Sequence, residues 1–186
     1  MNTKKEAGGT SLLSAGCHAI DALRLCMDGE VESVVSLSTK SSHPFFQEYE
    51  YDTTSVTIVN FSDGRIGKTA SIIDWLQPYY FHLHLVGSEG SLLDNRLYSE
   101  KMGLDKTAWS DLSIKLVDSG DVADHPYQSE FQAFFNAVDA SKDMPLNSLA
   151  DAVKSHEVII TADLSATEGR GVKIRVGLGC GWRFWG

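Results

Sequence analysis

Between residues 14 and 27 the apolar positions recur at a helical interval, with Ile20, Leu23 and Met27 at i, i+3 and i+7. Gly8-Gly9-Thr10-Ser11 is a turn leading into that helix, and Asp28-Gly29 is its stop. The interval then shortens to two. Val31, Ser33, Val35 and Leu37 alternate with Glu32, Val34, Ser36 and Ser38, which predicts a strand over 31–40. A loop around His43-Pro44 leads to a second strand over 53–61. Ser62-Asp63-Gly64-Arg65 reads as a tight hairpin in which Asp-Gly takes the positive φ angles, so 65–75 is the antiparallel partner. Alternation resumes over 80–86, with Phe81, Leu83 and Leu85 on one face and Tyr80, His82 and His84 on the other. Short strands at 91–93 and 96–98 follow the Gly87–Gly90 turn, and 103–113 is irregular.

Helical spacing returns in the last third. Tyr127, Phe131, Phe134, Phe135 and Val138 form one stripe. Ser148 and Asp151 resemble a capping box opening a further helix, with Leu149, Val153, Ile160, Leu164 and His156 expected inward and Gly169 or Gly171 as the stop. A helix, a run of strands and two more helices predict an α+β fold: an open, predominantly antiparallel sheet with helices packed on one face.

Composition narrows the function classes. The chain has 186 residues, of which 42% are hydrophobic, enough for one domain that buries roughly 70% of its extended surface without disulfides or a structural metal. Sixteen Lys and Arg against 25 Asp and Glu give a net charge of −9 with no basic stripe, which argues against a nucleic-acid partner. Cys17, Cys26 and Cys180 make no C-x-x-C pair, so a reducing compartment is expected, and a cytoplasmic location with it. No segment approaches the ~18 apolar residues of a membrane span, so no membrane role is expected.

Several groups of residues can carry chemistry. Ser14, His18 and Asp21 can share one side of the first helix, where His18 can act as a general base near neutral pH and Asp21 can set its orientation. The plainer reading makes Ser14 a cap and His18 a packing residue. His82 and His84, two apart in a strand, have His43, His125 and Glu50 as loose partners, too few for a metal site to be expected. Trp75, Tyr79, Tyr80 and Trp109 offer flat faces for sugar rings, or simply pack the sheet. Gly177, Gly179 and Gly181 follow a strand-like run, but Trp182 stands where a dinucleotide fingerprint needs its last glycine and no helix follows, so no cofactor is expected to bind this chain.

The run from Gly8 to Asp21 resembles the "GGG-x-L-x-D-x-G-x-H-x-x-D" segment of the Gfo/Idh/MocA oxidoreductases, the glucose–fructose oxidoreductase and inositol dehydrogenase superfamily. Val86–Leu92 looks like its "V-G-T-E-G-T-L" turn, Tyr127–Ala137 like its "Y-x-x-E-F-x-A-F-x-x-A" helix, and 149–173 like its closing helix and "G-R-P-V" end. The likeness covers 7–174. It leaves a polar leader, 1–6, and a tail, 175–186, that reads either as a non-native terminus or as the start of a Rossmann domain.

The resemblance implies the second domain of such an enzyme, with the Rossmann domain absent and the sheet mediating oligomerisation. It implies His18 as acid/base beside a lysine from the cofactor domain; Ser14 and Asp21 of the same helix are the expected substrate contacts, joined by Trp75 and Tyr80 for their flat faces. Ser14 stands where many members carry Asp, while Asp21 matches the second acidic position and supports the His and its helix. NAD or NADP would serve the complete enzyme, acting on a sugar or polyol, and the isolated chain would be inactive. The alternative is a non-catalytic dimerisation or small-ligand-binding module derived from that domain.

Overall fold

The computed structural model describes residues 3–74, 81–113, 127–145 and 147–174. In chain order the elements are helix α1 (Lys5–Gly8), a π-helical stretch (Leu12–Gly16), α2 (Cys17–Met27), strands β1 (Val31–Thr39), β2 (Thr54–Phe61), β3 (Ile66–Ile72), β4 (His84–Val86), β5 (Gly90–Leu93), β6 (Arg96–Ser99) and β7 (Ser110–Asp111), helices α3 (Tyr127–Asp139) and α4 (Leu149–Glu168), and β8 (Val172–Lys173). The α+β class and the antiparallel pairing are as the sequence predicts. The strands are nevertheless divided between two four-stranded sheets, β3-β2-β1-β8 and β4-β5-β6-β7. They lie in separate compact units, residues 1–75 with 133–186, and residues 76–132. The strand expected over 80–86 is seen only from His84 to Val86, where it pairs with β5.

In the first unit, α2 and α4 cover one face of the sheet. Ile20, Leu23, Val34, Val59, Phe61, Val158, Ile159 and Ala162 form the core with Leu12, and Met27 packs against them. The rest of the covered face is polar. Ser36, Thr57 and Thr69 are in register with one another, as are Ser38, Ser55 and Ser71, and all but Ser38 are buried. Ser36 and Thr57 share a hydroxyl–hydroxyl bond of 2.9 Å, whereas the Ser55 and Thr69 hydroxyls are buried with no hydrogen-bond partner among the described residues.

The bulkier aliphatic side chains point the other way. Val35 lies opposite Ile58, and Leu37 opposite Val56. Together with Ile66 and Ile72 they are 40–72% exposed on the open face.

Small residues on the covered face let the helices approach closely. Gly67 receives Leu23, whose Cδ1 would lie 2.6 Å from a Cβ added there, and Gly16 sits against Ser71 in the same manner. The Ser36 amide donates to Ser165 Oγ at 2.9 Å, bringing α4 onto β1. On α4 it is Ser155, Val158, Ile159, Ala162 and Ser165 that turn inward. The expected inward set, Leu149, Val153, Ile160 and Leu164, is exposed, and so is His156, whose Nδ1 lies 2.9 Å from the Ala152 carbonyl. The α3 stripe is correctly helical, but Phe131, Phe134, Phe135 and Val138 are exposed and Ala137 is its buried residue.

The helix ends follow local chemistry. Asp28 closes α2 in the left-handed region at φ 43°, Ser148 Oγ accepts from the Asp151 amide at 3.1 Å, and Gly169 closes α4 at φ 64°. In the 62–65 hairpin only Gly64 has a positive φ, at 86°, while Asp63 instead binds the Arg65 amide and guanidinium at 3.1 and 2.7 Å.

The second unit is a meander of short strands in which no described residue of 81–113 is fully buried. Asp94, at φ 53°, closes its β5–β6 turn and exchanges bonds with the Leu83 backbone at 2.8 and 2.9 Å.

Replacing Gly16 with Ala tests the close approach in the first unit. The new Cβ would lie 2.6 Å from Leu12 Cδ1 and 2.7 Å from Ser71 Cβ. Although alanine is the better helix former, G16A is expected to lose about 1–3 kcal/mol. A melting temperature equal to or above that of the wild type would contradict the packing.

Candidate functional site

The first turn after Gly8-Gly9 is built on Thr10. Gly9 takes φ 76°, which turns the chain. The Thr10 carbonyl accepts from the Ser14 amide at 2.9 Å, and its hydroxyl accepts from the Leu13 amide at 3.3 Å. Thr10 Oγ1 also donates to Asp163 Oδ2 of α4 at 2.7 Å. On the sheet side, Ser71 Oγ donates to the Ser11 carbonyl at 2.9 Å. The segment carrying Ser14 and His18 is thus tied to a helix and to a strand.

Its winding departs from expectation. Leu12–Gly16 is π-helical, so α-helical spacing does not describe the step from Ser14 to His18. Such stretches are rare and recur at functional sites. Ser14 is half-buried and His18 is exposed, one residue from the core at Cys17 and two from the fully buried Ile20.

Asp21 is engaged elsewhere. It accepts from Ser155 Oγ at 2.6 Å, and that hydroxyl accepts from Arg24 Nη1 at 2.5 Å. Arg24 Nη2 continues to Asp151 Oδ1 at 2.8 Å, and Arg24 is only 12% exposed. The chain Asp21–Ser155–Arg24–Asp151 fastens α2 to α4, so Asp21 holds the helix that carries His18.

Among the carboxylates with displaced pKa values are Asp163, Asp74 and Glu50. Burial pushes Asp163 above the ordinary carboxylate range, outweighing the Thr10 bond and the charge of Lys5. For Asp74, at the end of β3, burial pulls upward but hydrogen bonds from Thr53, Thr54 and Ser41 prevail and hold it low. Glu50 is held low by the bond from Lys4, at 2.6 Å, and by the Lys5 amide at 3.1 Å. Sequence reasoning missed Asp163 and Thr10. They are 153 residues apart, and nothing local marks an Asp on a helix as the partner of a distant cap.

The remaining candidates are not brought together. Trp75, Tyr79, Tyr80 and His125 lie outside the described residues. In the second unit His82 pairs with Asp94, its Nδ1 3.0 Å from Oδ1, and His84 and Trp109 are exposed. His43 Nδ1 accepts from the Phe45 amide at 3.2 Å. Among the described residues no group of three or more His, Cys, Asp or Glu can hold a metal ion, and no helix is long and apolar enough to cross a membrane.

A dinucleotide crevice requires parallel strands joined by a crossover helix. Every pairing among the described residues is antiparallel, so no such crevice is built from them. What remains is an exposed imidazole on a firmly held helix, beside a hydroxyl-bearing turn, an arrangement suited to hydrogen bonding and proton exchange with a polar ligand.

The sequence profile of the GFO/IDH/MocA C-terminal domain matches residues 1–93. No curated protein matches the chain by sequence. Among solved structures, myo-inositol 2-dehydrogenase from Lactobacillus plantarum is similar with a TM-score of 0.69 and 20% identity over 90% of this chain and 49% of that one. The WlbA dehydrogenase from Bordetella pertussis, in complex with NADH and UDP-GlcNAcA, gives 0.68 and 16% over 94% and 48%. A scyllo-inositol dehydrogenase from Lactobacillus casei, with bound NAD(H) and scyllo-inositol, gives 0.67 and 16% over 89% and 48%. At these identities the likeness is one of fold, and the chain spans about half the length of the structures it matches.

The displaced Asp163 makes a pH prediction. Its pKa is higher folded than unfolded, so above about pH 4 there is a window in which the folded chain holds a proton that the unfolded chain has lost. Stability is therefore greater on the acid side and declines as pH rises through the folded pKa. D163N, which keeps an acceptor for Thr10, should flatten that decline and gain stability at neutral pH in denaturant titrations. A wild-type pH slope retained in D163N would contradict the assignment.

Proposed function

The chain belongs to the GFO/IDH/MocA C-terminal domain family, and on that premise we propose that it is the substrate-binding and subunit-pairing half of a dehydrogenase that acts on a hydroxyl of a sugar or polyol. The observation that carries this reading is the helix start. A segment tied to α4 through Thr10 and Asp163 and to β3 through Ser11 and Ser71 presents His18 exposed and Ser14 half-buried. His18 is the proposed acid/base, exchanging the proton of the reacting hydroxyl, and Ser14 can donate or accept a hydrogen bond to the same ligand. Asp21, bound to Ser155, acts by holding the helix. Trp75 and Tyr80 are proposed as further contacts on the ligand.

NAD or NADP supplies redox chemistry in the complete enzyme and belongs to a separate nucleotide-binding domain. The neighbours support this, since two are solved with NADH or NAD(H) and their ligands are a UDP-sugar and an inositol. Subunit pairing is assigned to the open face of the β1–β3 sheet, where Val35, Leu37, Val56 and Ile58 lie exposed. A soluble cytoplasmic location fits both parts. The second reading, a module that pairs or captures ligand without catalysis, is favoured by Ser14 alone, which lacks the charge of the carboxylate expected there.

Calorimetric titration tests the reading. The chain is expected to bind scyllo-inositol or another member of a small polyol panel weakly, to bind no NADH, and to lose polyol affinity at least tenfold in H18A. Binding unchanged in H18A would remove His18 from the site. Stoichiometric NADH binding would overturn the division of labour.

A further inference from the structure

Asp163 occupies an expensive position for a carboxylate. It lies on α4 between the fully buried Ala162 and Ser165, whose hydroxyl accepts from the Ser36 amide and donates to the Arg170 carbonyl at 2.6 Å. That level of α4 is therefore fixed to the sheet. From there Asp163 Oδ2 receives the Thr10 hydroxyl at 2.7 Å. Thr10 has a single hydroxyl proton. Giving it to Asp163 leaves the lone pairs of Oγ1 for the Leu13 amide, 3.3 Å away. A carboxylate is the stronger acceptor for this purpose, because hydrogen bonds to an ionised group are roughly twice as strong as neutral ones.

We propose that Asp163 is a positioning residue: by orienting the Thr10 hydroxyl it caps the π-helical turn and fixes where Ser14 and His18 stand. The role rests on the proposed function of His18. It adds to that function a link from the closing helix to the first turn of the helix that meets the ligand. The sheet side of the same turn is held independently by the Ser11 carbonyl on Ser71 and by Gly16 against Ser71. Losing Asp163 should therefore loosen residues 13–16 without unfolding α2, whose Ile20 and Leu23 remain in the core.

The test is amide hydrogen exchange and histidine ring NMR on the full chain in D163A, D163N, T10V and T10S. D163A and T10V are expected to speed exchange at Leu13 and Ser14 about fivefold, the effect of a lost cap, with Ile20–Arg24 unchanged. The His18 ring signals should shift in both, D163N and T10S should restore the wild-type pattern, and D163A should add nothing in a T10V background. Unchanged exchange at Leu13 and Ser14, or equal acceleration throughout α2, would overturn the positioning role. Should D163A not fold, T10V carries the same expectation against the same two outcomes. The predicted exchange pattern with unaltered polyol affinity in D163A would cut the link to the ligand site. The predicted pattern in these variants, together with a wild-type chain that binds no polyol, would leave the positioning role standing and overturn the functional reading instead.

Discussion

The sheet formed by β1, β2 and β3 is inverted in polarity, and the placement of the helices follows from that. Its helix-covered face is filled at the centre by Ser36, Ser55, Thr57, Thr69 and Ser71, while Val35, Leu37, Val56, Ile58, Ile66 and Ile72 face outward. Small side chains bring α4 and the segment leading into α2 close enough to bond the sheet directly, as Ser165 does to the Ser36 amide and the Ser11 carbonyl does to Ser71. Hydroxyls give less burial energy than aliphatic groups, and a buried hydroxyl without a partner costs about 1–3 kcal/mol. A sheet built this way leaves its bulkier aliphatic side chains on the open face.

The close approach also shapes the candidate site. Gly16 can rest on Ser71 only because neither residue is large, and the winding just before it is π-helical rather than α-helical. His18 follows from a turn that is fastened on both sides, and Asp21, Ser155, Arg24 and Asp151 fasten the next turn. An imidazole that is to exchange a proton with a bound hydroxyl gains from such preorganisation, since positioning error is costly at hydrogen-bond range. No dinucleotide crevice is found among the described antiparallel strands.

Much of this was legible in the sequence. Period-two alternation marks β1 and β2, Ser148 and Gly169 mark the limits of α4, and the Gly8–Asp21 run carries the resemblance that led to His18. Facing was harder to read. Hydrophobic periodicity assigns Leu149, Val153, Ile160 and Leu164 to the core, yet the inward face of α4 joins Val158 and Ile159 to the small Ser155, Ala162 and Ser165, with Ser165 bonded to β1. The same limit hides the burial of Ser36 behind Val35 and Leu37. The Thr10–Asp163 bond and the π-helical turn were beyond reach, because one is a contact over 153 residues and the other depends on tertiary packing.

The central claim is that the outward apolar face is a subunit interface, and sedimentation equilibrium tests it most directly. At micromolar concentration the wild-type chain should sediment as a dimer or larger assembly. I58D, which places a charge at the centre of the face opposite Val35, should sediment as a monomer with its melting transition retained. A wild-type chain that stays monomeric across the concentration range, or an I58D assembly indistinguishable from the wild type, would contradict the account.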